Sequence, residues 1–386
     1  MIKKNHQLIF ASIVVFLILI ISGCTDNAPT VTPGTSDKTG NTQLNKTNGE
    51  NEKNAYQQTN LVSDISGFSA ARIDPNLVNA WGLAVSPTGN FWISANGTGL
   101  SVVYDNMGNQ TLAPVTIPTV NNAPGGTPSG VVYNFTQDFR IPPNNEPSKF
   151  IFVGEDGIVS VWGPSSGTMA VVAADQSSKE AVYKGVDIAI HQGEPFLYAT
   201  NFKQARIDVF DRNFKLVTKM SFEDNNIPAG FAPFNIKTIH NKIFVSYAKQ
   251  QPPENKDDQK GPGNGFVDVF TTGGRLITRL ISHGPLNSPW GMTLAPDIFN
   301  KQSAKILIGN FGDGRINMFD IEGNFLGPLK DTKNNPITID GLWAIYSVNE
   351  EGYMNQKIMT PILERIYFTA GPGEENHGLF GYLQNE

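Results

Sequence analysis

Three stretches of the 386-residue chain decide the fold: Ala205-Arg-Ile-Asp-Val-Phe210, Gly265-Phe-Val-Asp-Val-Phe270 and Gly314-Arg-Ile-Asn-Met-Phe319. Each is a small residue, an alternating run and an aromatic, which is the period of a β-strand. Gly99-Leu-Ser-Val-Val-Tyr104 and Gly157-Ile-Val-Ser-Val-Trp162 are two more copies, and Gly378-Leu-Phe-Gly-Tyr-Leu383 is a degenerate sixth. Successive copies end 48 to 64 residues apart, near the ~40–50-residue period of propeller blades that carry loop insertions.

Working outward, a second strand precedes each copy: Phe91-Trp-Ile-Ser, Ile151-Phe-Val-Gly, Leu197-Tyr-Ala-Thr, Ile243-Phe-Val-Ser, Ile306-Leu-Ile-Gly and Ile366-Tyr-Phe-Thr. Unbroken apolarity means burial on both faces, as for a sheet sandwiched between two others. A small-residue column at Ala95, Gly154, Thr200, Ser246, Gly309 and Thr369 suits crowding toward an axis. Innermost strands are expected to begin at Trp81-Gly82, Ser129-Gly130, Lys184-Gly185, Phe234-Asn235, Trp290-Gly291 and Asp340-Gly341. Turns such as Thr272-Gly-Gly274 lead to an outer fourth strand. The fold class is therefore all-β, a six-bladed β-propeller of four-stranded antiparallel blades. The sixth copy stops after its third strand, so the N-terminal segment Tyr56-Gln-Gln-Thr-Asn-Leu-Val-Ser63 is expected to complete the last blade and remove an exposed edge.

Residues 1–24 carry Lys3 and Lys4, an apolar run from Leu8 to Ile21, and Ile21-Ser22-Gly23-Cys24. This resembles a lipoprotein signal peptide ending in a lipobox, with Cys24 as the lipidated residue. Cys24 is the single cysteine, so no internal disulfide is available in an exported domain. Residues 25–55 are rich in Thr, Asn, Gly and Lys and read as a disordered tether, which leaves 56–386 as the propeller. The expected location is outside the cytoplasm, lipid-anchored to the cell membrane or outer membrane. A net charge of −6 without a basic run excludes nucleic acid as a partner. No Gly-x-Ser-x-Gly elbow, phosphate loop or catalytic-cysteine arrangement is present.

Asn60-Leu-Val-Ser-Asp64, Asn79-Ala-Trp-Gly-Leu-Ala84, Gly126-Thr-Pro-Ser-Gly130, Ser288-Pro-Trp-Gly-Met292, Gly309-Asn-Phe-Gly-Asp-Gly-Arg-Ile316, Ile339-Asp-Gly-Leu-Trp343 and Phe368-Thr-Ala-Gly-Pro372 carry a resemblance. Across roughly residues 60 to 383 the chain resembles an uncharacterised family of exported bacterial six-bladed propellers. It is more distantly similar to propellers of NHL-type repeats and to the gluconolactonase and regucalcin group. The latter resemblance implies a lactone or ester hydrolase around an axial divalent metal, and Asp340-Gly341-Leu342 is similar to that group's Asp-Gly motif.

In a four-stranded meander the starts of first strands and the ends of second strands share one end of the blade. That face collects Asn96, Glu155, Asn201, Tyr247 and Asn310, with Asp156 and Asp313 just beyond, and Glu374, Glu375, Asn376 and His377 in the final loop. A hard divalent cation such as calcium takes about six to eight oxygens, and Asp340, Glu155, Asn201 and Asn310 are the candidate axial metal or ligand residues. His377 is the candidate base, whereas His191, His240 and His283 stand isolated. Asp187 and Lys237 are expected to form a structural ion pair near the axis, and Trp81 and Trp290 to pack the inner ring. Two functions remain open: a binding or scaffolding module for a protein, glycan or small ligand, acting as a monomer, or a metal-assisted hydrolase of the lactonase type.

Overall fold

In a computed structural model of the protein, residues 55–296, 304–348 and 365–386 are described. The signal segment, Cys24 and the tether up to residue 54 lie outside the described residues, among which no helix is long and apolar enough to cross a membrane.

The first strand, β1 (Tyr56–Ser63), and the two-residue β2 (Arg72–Ile73) belong to the last blade. Blade one is β3 (Ala80–Val85), β4 (Phe91–Ala95), β5 (Leu100–Tyr104) and β6 (Gln110–Thr116). Blade two follows as β7 (Pro128–Tyr133), β8 (Phe150–Gly154), β9 (Ile158–Trp162) and β10 (Val171–Asp175). The third blade has only β11 (Tyr183–His191), β12 (Glu194–Asn201) and β13 (Arg206–Phe210). Blade four comprises β14 (Phe231–Ile239), β15 (Lys242–Lys249), β16 (Phe266–Thr271) and β17 (Leu276–Ser282). The fifth comprises β18 (Pro289–Leu294), β19 (Lys305–Asn310), β20 (Ile316–Asp320) and β21 (Phe325–Pro328). In the sixth, β22 (Leu342–Ser347), β23 (Arg365–Ala370) and β24 (Leu379–Asn385) are joined by β1 and then β2.

Continuous apolarity of the second strands has the expected cause. Side chains alternate across a strand, and in β8 Phe150 and Phe152 enter a cluster with Trp92 and Val103 of blade one. Ile151 and Val153 enter a different cluster, with Tyr183 and Leu197 of blade three. Every neighbouring pair of blades has its own apolar cluster in this manner.

The axis is organised by a repeated irregularity. All six innermost strands carry a bulge at the same place against the second strand, just after the pairs Ala80↔Ala95, Pro128↔Gly154, Tyr183↔Asn201, Pro233↔Tyr247, Pro289↔Asn310 and Leu342↔Ala370. A bulge re-aims the residue it frees, here Trp81, Ser129, Lys184, Phe234, Trp290 and Trp343. In five of the six the next residue is Gly or Ala, the exception being Asn235, because inner strands crowd each other: a Cβ on Gly82 would stand 2.8 Å from the Val131 nitrogen, and one on Gly291 2.8 Å from the Trp343 oxygen. Two registers differ from the sequence reading. The sixth inner strand begins at Leu342, so Trp343 joins the ring and Ala344 the small column, while Asp340-Gly341 is a turn with Gly341 at φ +66°. On the second strands of blades one and two the small-residue column passes through Ser94 and Val153, one residue before Ala95 and Gly154. Short apolar runs align equally well one step apart in sequence, and only the bulge fixes which residue faces the axis.

β1 completes the sixth blade as expected, running antiparallel to β24 from Tyr56↔Asn385 to Ser63↔Leu379. Leu61 and Val62 are buried in the cluster shared by blades six and one, and Tyr56 in the one shared by five and six.

Blade three is the exception to four strands. After β13 the chain makes only the bridge Phe210↔Leu216 and the bond from the Val217 nitrogen to the Val209 oxygen, then diverges. Among the described residues no strand covers the outer edge at Arg206–Asp208. Ile207 aligns with Val267 of blade four, which pairs with Ile281. By hydrogen exchange the Ile207 amide is expected to open about tenfold or more faster than that of Val267; equal protection would mean that the edge is covered.

Candidate functional site

Above the bulge, the residue that follows the flanking pair on each second strand is Asn96, Glu155, Phe202, Ala248, Phe311 or Gly371, six equivalent places. Asn201 and Asn310 are one residue earlier, and a one-residue step turns a side chain to the other face. That single offset separates the sequence candidates.

The axial end is closed by aromatics. Trp343 stacks between Trp81, at 3.7 Å between ring centroids, and Phe311, at 3.8 Å, and meets Trp290 edge-on at 5.8 Å. Phe202 and Phe234 extend the same buried cluster. Below this floor the inner strands of all six blades line an axial channel of about 60 Å³ that contains Asp187 and Lys237. Burial raises the Asp187 carboxyl above its ordinary pKa; the nearby Lys237 charge and the bonds from the Thr238 and Ile188 nitrogens oppose that shift.

A polar cap covers the floor. The Lys184 ammonium, 2 % exposed, lies 2.5 Å from Glu155 Oε1, 3.7 Å from Asp257 Oδ1 and 4.8 Å from the centre of the Trp81 ring. Burial works against that charge, but Glu155, with Asp257 and Asp258, raises the Lys184 pKa above the ordinary lysine value. Asn96 donates to Glu155 Oε2 at 3.0 Å, and Asn79 donates to Glu375 Oε2 at 2.8 Å while accepting from the Trp343 indole. Burial lifts the Glu375 carboxyl, against the Asn79 bond and the charges of Lys184 and Lys260. The cap is therefore a set of charges satisfied by one another, as low-dielectric surroundings require.

Of the sequence candidates, Glu155 is in this cap. Asp340 is exposed and accepts from the Gly373 nitrogen at 2.9 Å. Asn201 donates to Asp208 at 2.9 Å within its own blade, and Asn310 donates to the Pro285 oxygen and Asp313. His377 Nδ1 lies 2.9 Å from Asp64 Oδ2, and Asp64 Oδ1 accepts from the Gly378 nitrogen, so this pair ties the end of β1 to the start of β24. Among the described residues no group of three or more His, Cys, Asp and Glu side chains is placed to hold a metal ion. Asp340, Glu155, Asn201 and Asn310 thus each have partners of their own and are not gathered at one point.

Sequence reasoning missed Asn79, Asp257, Asp258, Lys260, Phe311 and Trp343. A usable signal was loop length: 16 residues separate β15 from β16, where the equivalent turns of the other blades have three to eight.

The chain is 31 % identical to the uncharacterised protein L690 of Acanthamoeba polyphaga mimivirus over 85 % of its own length and 86 % of the relative's. Protein R648 of the same virus is 30 % identical, over 84 % and 78 %. The chain belongs to the family of these mimivirus proteins. No protein-family model matches it. Among solved structures, a protein of unknown function from Bacteroides thetaiotaomicron superposes with a TM-score of 0.53 at 12 % identity, covering 85 % of this chain and 76 % of that one. A calcium-binding regucalcin from Agrobacterium tumefaciens gives 0.46 at 13 % identity, over 80 % and 90 %. These neighbours are six-bladed propellers, and at such identities the likeness extends to the fold alone.

Proposed function

We propose that this propeller is a binding module, exported and held at a membrane by lipid on Cys24, that engages its ligand through the loop-rich axial mouth. The observation that carries the reading is the cap itself: Lys184, Glu155, Asn96, Asn79 and Glu375 form a preorganised polar surface over a closed aromatic floor. Such a surface supplies orientation and charge recognition. It offers no nucleophile beside a base, and its carboxylate oxygens accept from the Lys184 ammonium and the Asn96 and Asn79 amides.

Two measurements test this. Calcium, magnesium, manganese or zinc is expected to leave the melting temperature of the protein unchanged within about 1 °C, because only a ligand bound to the native state stabilises it. A metal-dependent rise abolished by Asp340→Ala would replace the binding reading with a metal-assisted hydrolase. For the anchor, fatty-acid label is expected in the parent and absent from Cys24→Ala; label retained in the variant would remove the lipid from the proposal.

A further inference from the structure

Among the described residues blade three alone lacks a fourth strand, and its third strand borders a groove of about 530 Å³. Ile207 and Val209 of β13 line one wall, and Leu216, Val217, Met220 and Phe222 the other. Residues along an antiparallel strand bond alternately to the neighbour on either side. The Val209 oxygen accepts from the Val217 nitrogen at 2.8 Å on the outer side, so the nitrogen and oxygen of Ile207, two residues earlier, also face outward. No strand among the described residues meets them. At the spacings of a sheet one strand residue fills roughly 160 Å³, so the groove takes about three, the length of the open edge Arg206–Asp208.

The other five blades show what fits there. Opposite the residue equivalent to Ile207, their outer strands place Val62, Val115, Ala174, Ile281 and Leu329, all apolar. In blade five the equivalent oxygen, that of Ile316, accepts from the Leu329 nitrogen at 2.8 Å. Charge adds a second requirement. Asp208 and Asp268 hold the same place in blades three and four. Asp268 is opposite Arg279 of β17, whose Nε lies 3.2 Å from Oδ1. Asp208, 5 % exposed, is met instead by Arg206 of its own strand, Nε to Oδ1 2.7 Å, and the Arg206 side chain is half exposed.

We propose that the open edge of blade three receives an extended segment of a partner protein, which adds as the fourth strand and bears an arginine two residues ahead of a Val or Ile. The Val or Ile lies opposite Ile207 and bonds its outward main-chain groups, as strand addition at a sheet edge does. The arginine meets Asp208 as Arg279 meets Asp268, and Arg206 turns to solvent. The wall from Leu216 to Phe222 leaves room for one strand, which excludes the sheet edge of a second copy. This rim site is apart from the axial mouth and goes beyond the binding reading above.

The probe is a fluorescent peptide with the sequence of β17, Leu276–Ser282, titrated into the full chain and followed by anisotropy. Saturable binding is expected, and at saturation the Ile207 amide exchanges about tenfold or more slowly than in the free protein. Ile281→Asp in the peptide is expected to weaken binding about tenfold or more. Arg279→Gln in the peptide is expected to weaken binding about tenfold to the parent, and less than about twofold to Asp208→Asn. Equal loss against both proteins overturns the pairing of the arginine with Asp208. Should Asp208→Asn fail to fold, the peptide series against the parent decides. No saturable binding, undiminished binding of the Ile281→Asp peptide, or binding without protection of Ile207 overturns strand addition. So does an Ile207 amide as protected as that of Val267 in the free chain, since the chain itself or a second copy would then cover the edge.

Discussion

Deleting residues 56–64 will abolish cooperative folding of the propeller. The segment supplies the whole outer strand of blade six, with Tyr56, Leu61 and Val62 each at most 3 % exposed. At roughly 1.5–3 kcal/mol for each large apolar side chain buried, these three account for about 5 kcal/mol or more. That is comparable with the entire stability of a typical domain. Asp64, which holds His377 and the Gly378 nitrogen, goes with the strand, as does the bond from the Tyr56 nitrogen to the Lys330 oxygen of blade five. A ring has no redundant seam, and the described blades have no disulfide to close it another way. Thermal unfolding by circular dichroism is the measurement; a deletion variant that melts as the parent does would show that closure does not depend on β1.

Glu155→Leu is the second large effect, expected to cost about 3–5 kcal/mol, because it strands a buried ammonium. Lys184 would keep Asp257, at 3.7 Å and 76 % exposed in its side chain, and the more distant charge of Asp258. Replacing both members, as Lys184→Met with Glu155→Leu, is expected to recover most of the loss, since the cost lies in the unpaired charge. The sign with pH follows from the raised lysine pKa. The pairing stabilises fully at neutral pH, and on the alkaline side it is lost as pH climbs from the ordinary lysine value through the higher folded one. Denaturant melts of the single and double variants check this, and a single variant within about 1 kcal/mol of the parent would mean that Lys184 is hydrated.

The repeat was legible because its physical cause is local. Alternating third strands such as Ala205–Phe210, and second strands such as Phe150–Val153 that must bury both faces, write their environment directly into residue order. The closure was legible for a similar reason: a sixth unit ending after its third strand leaves an edge, and Tyr56–Ser63 was the unassigned strand. The site was read less well. Residue order places Glu155, Asn201 and Asn310 together at second-strand ends, but Asn201 and Asn310 precede the position equivalent to Glu155 by one residue. Trp343 was overlooked because Asp340-Gly341 imitates the start of an inner strand.

By itself, then, the amino-acid order determined the number of blades, the burial of their strands and the segment that closes the ring, all consequences of side-chain period and strand count. Tertiary structure alone decided which residues meet at the axis. Six bulges set that register, and residues as distant in sequence as Asn79, Lys184, Lys260 and Glu375 come together only when the ring is closed. A charge network assembled from loops of different blades leaves no periodic trace in the chain, because the blades contribute to it unequally and at unrelated positions.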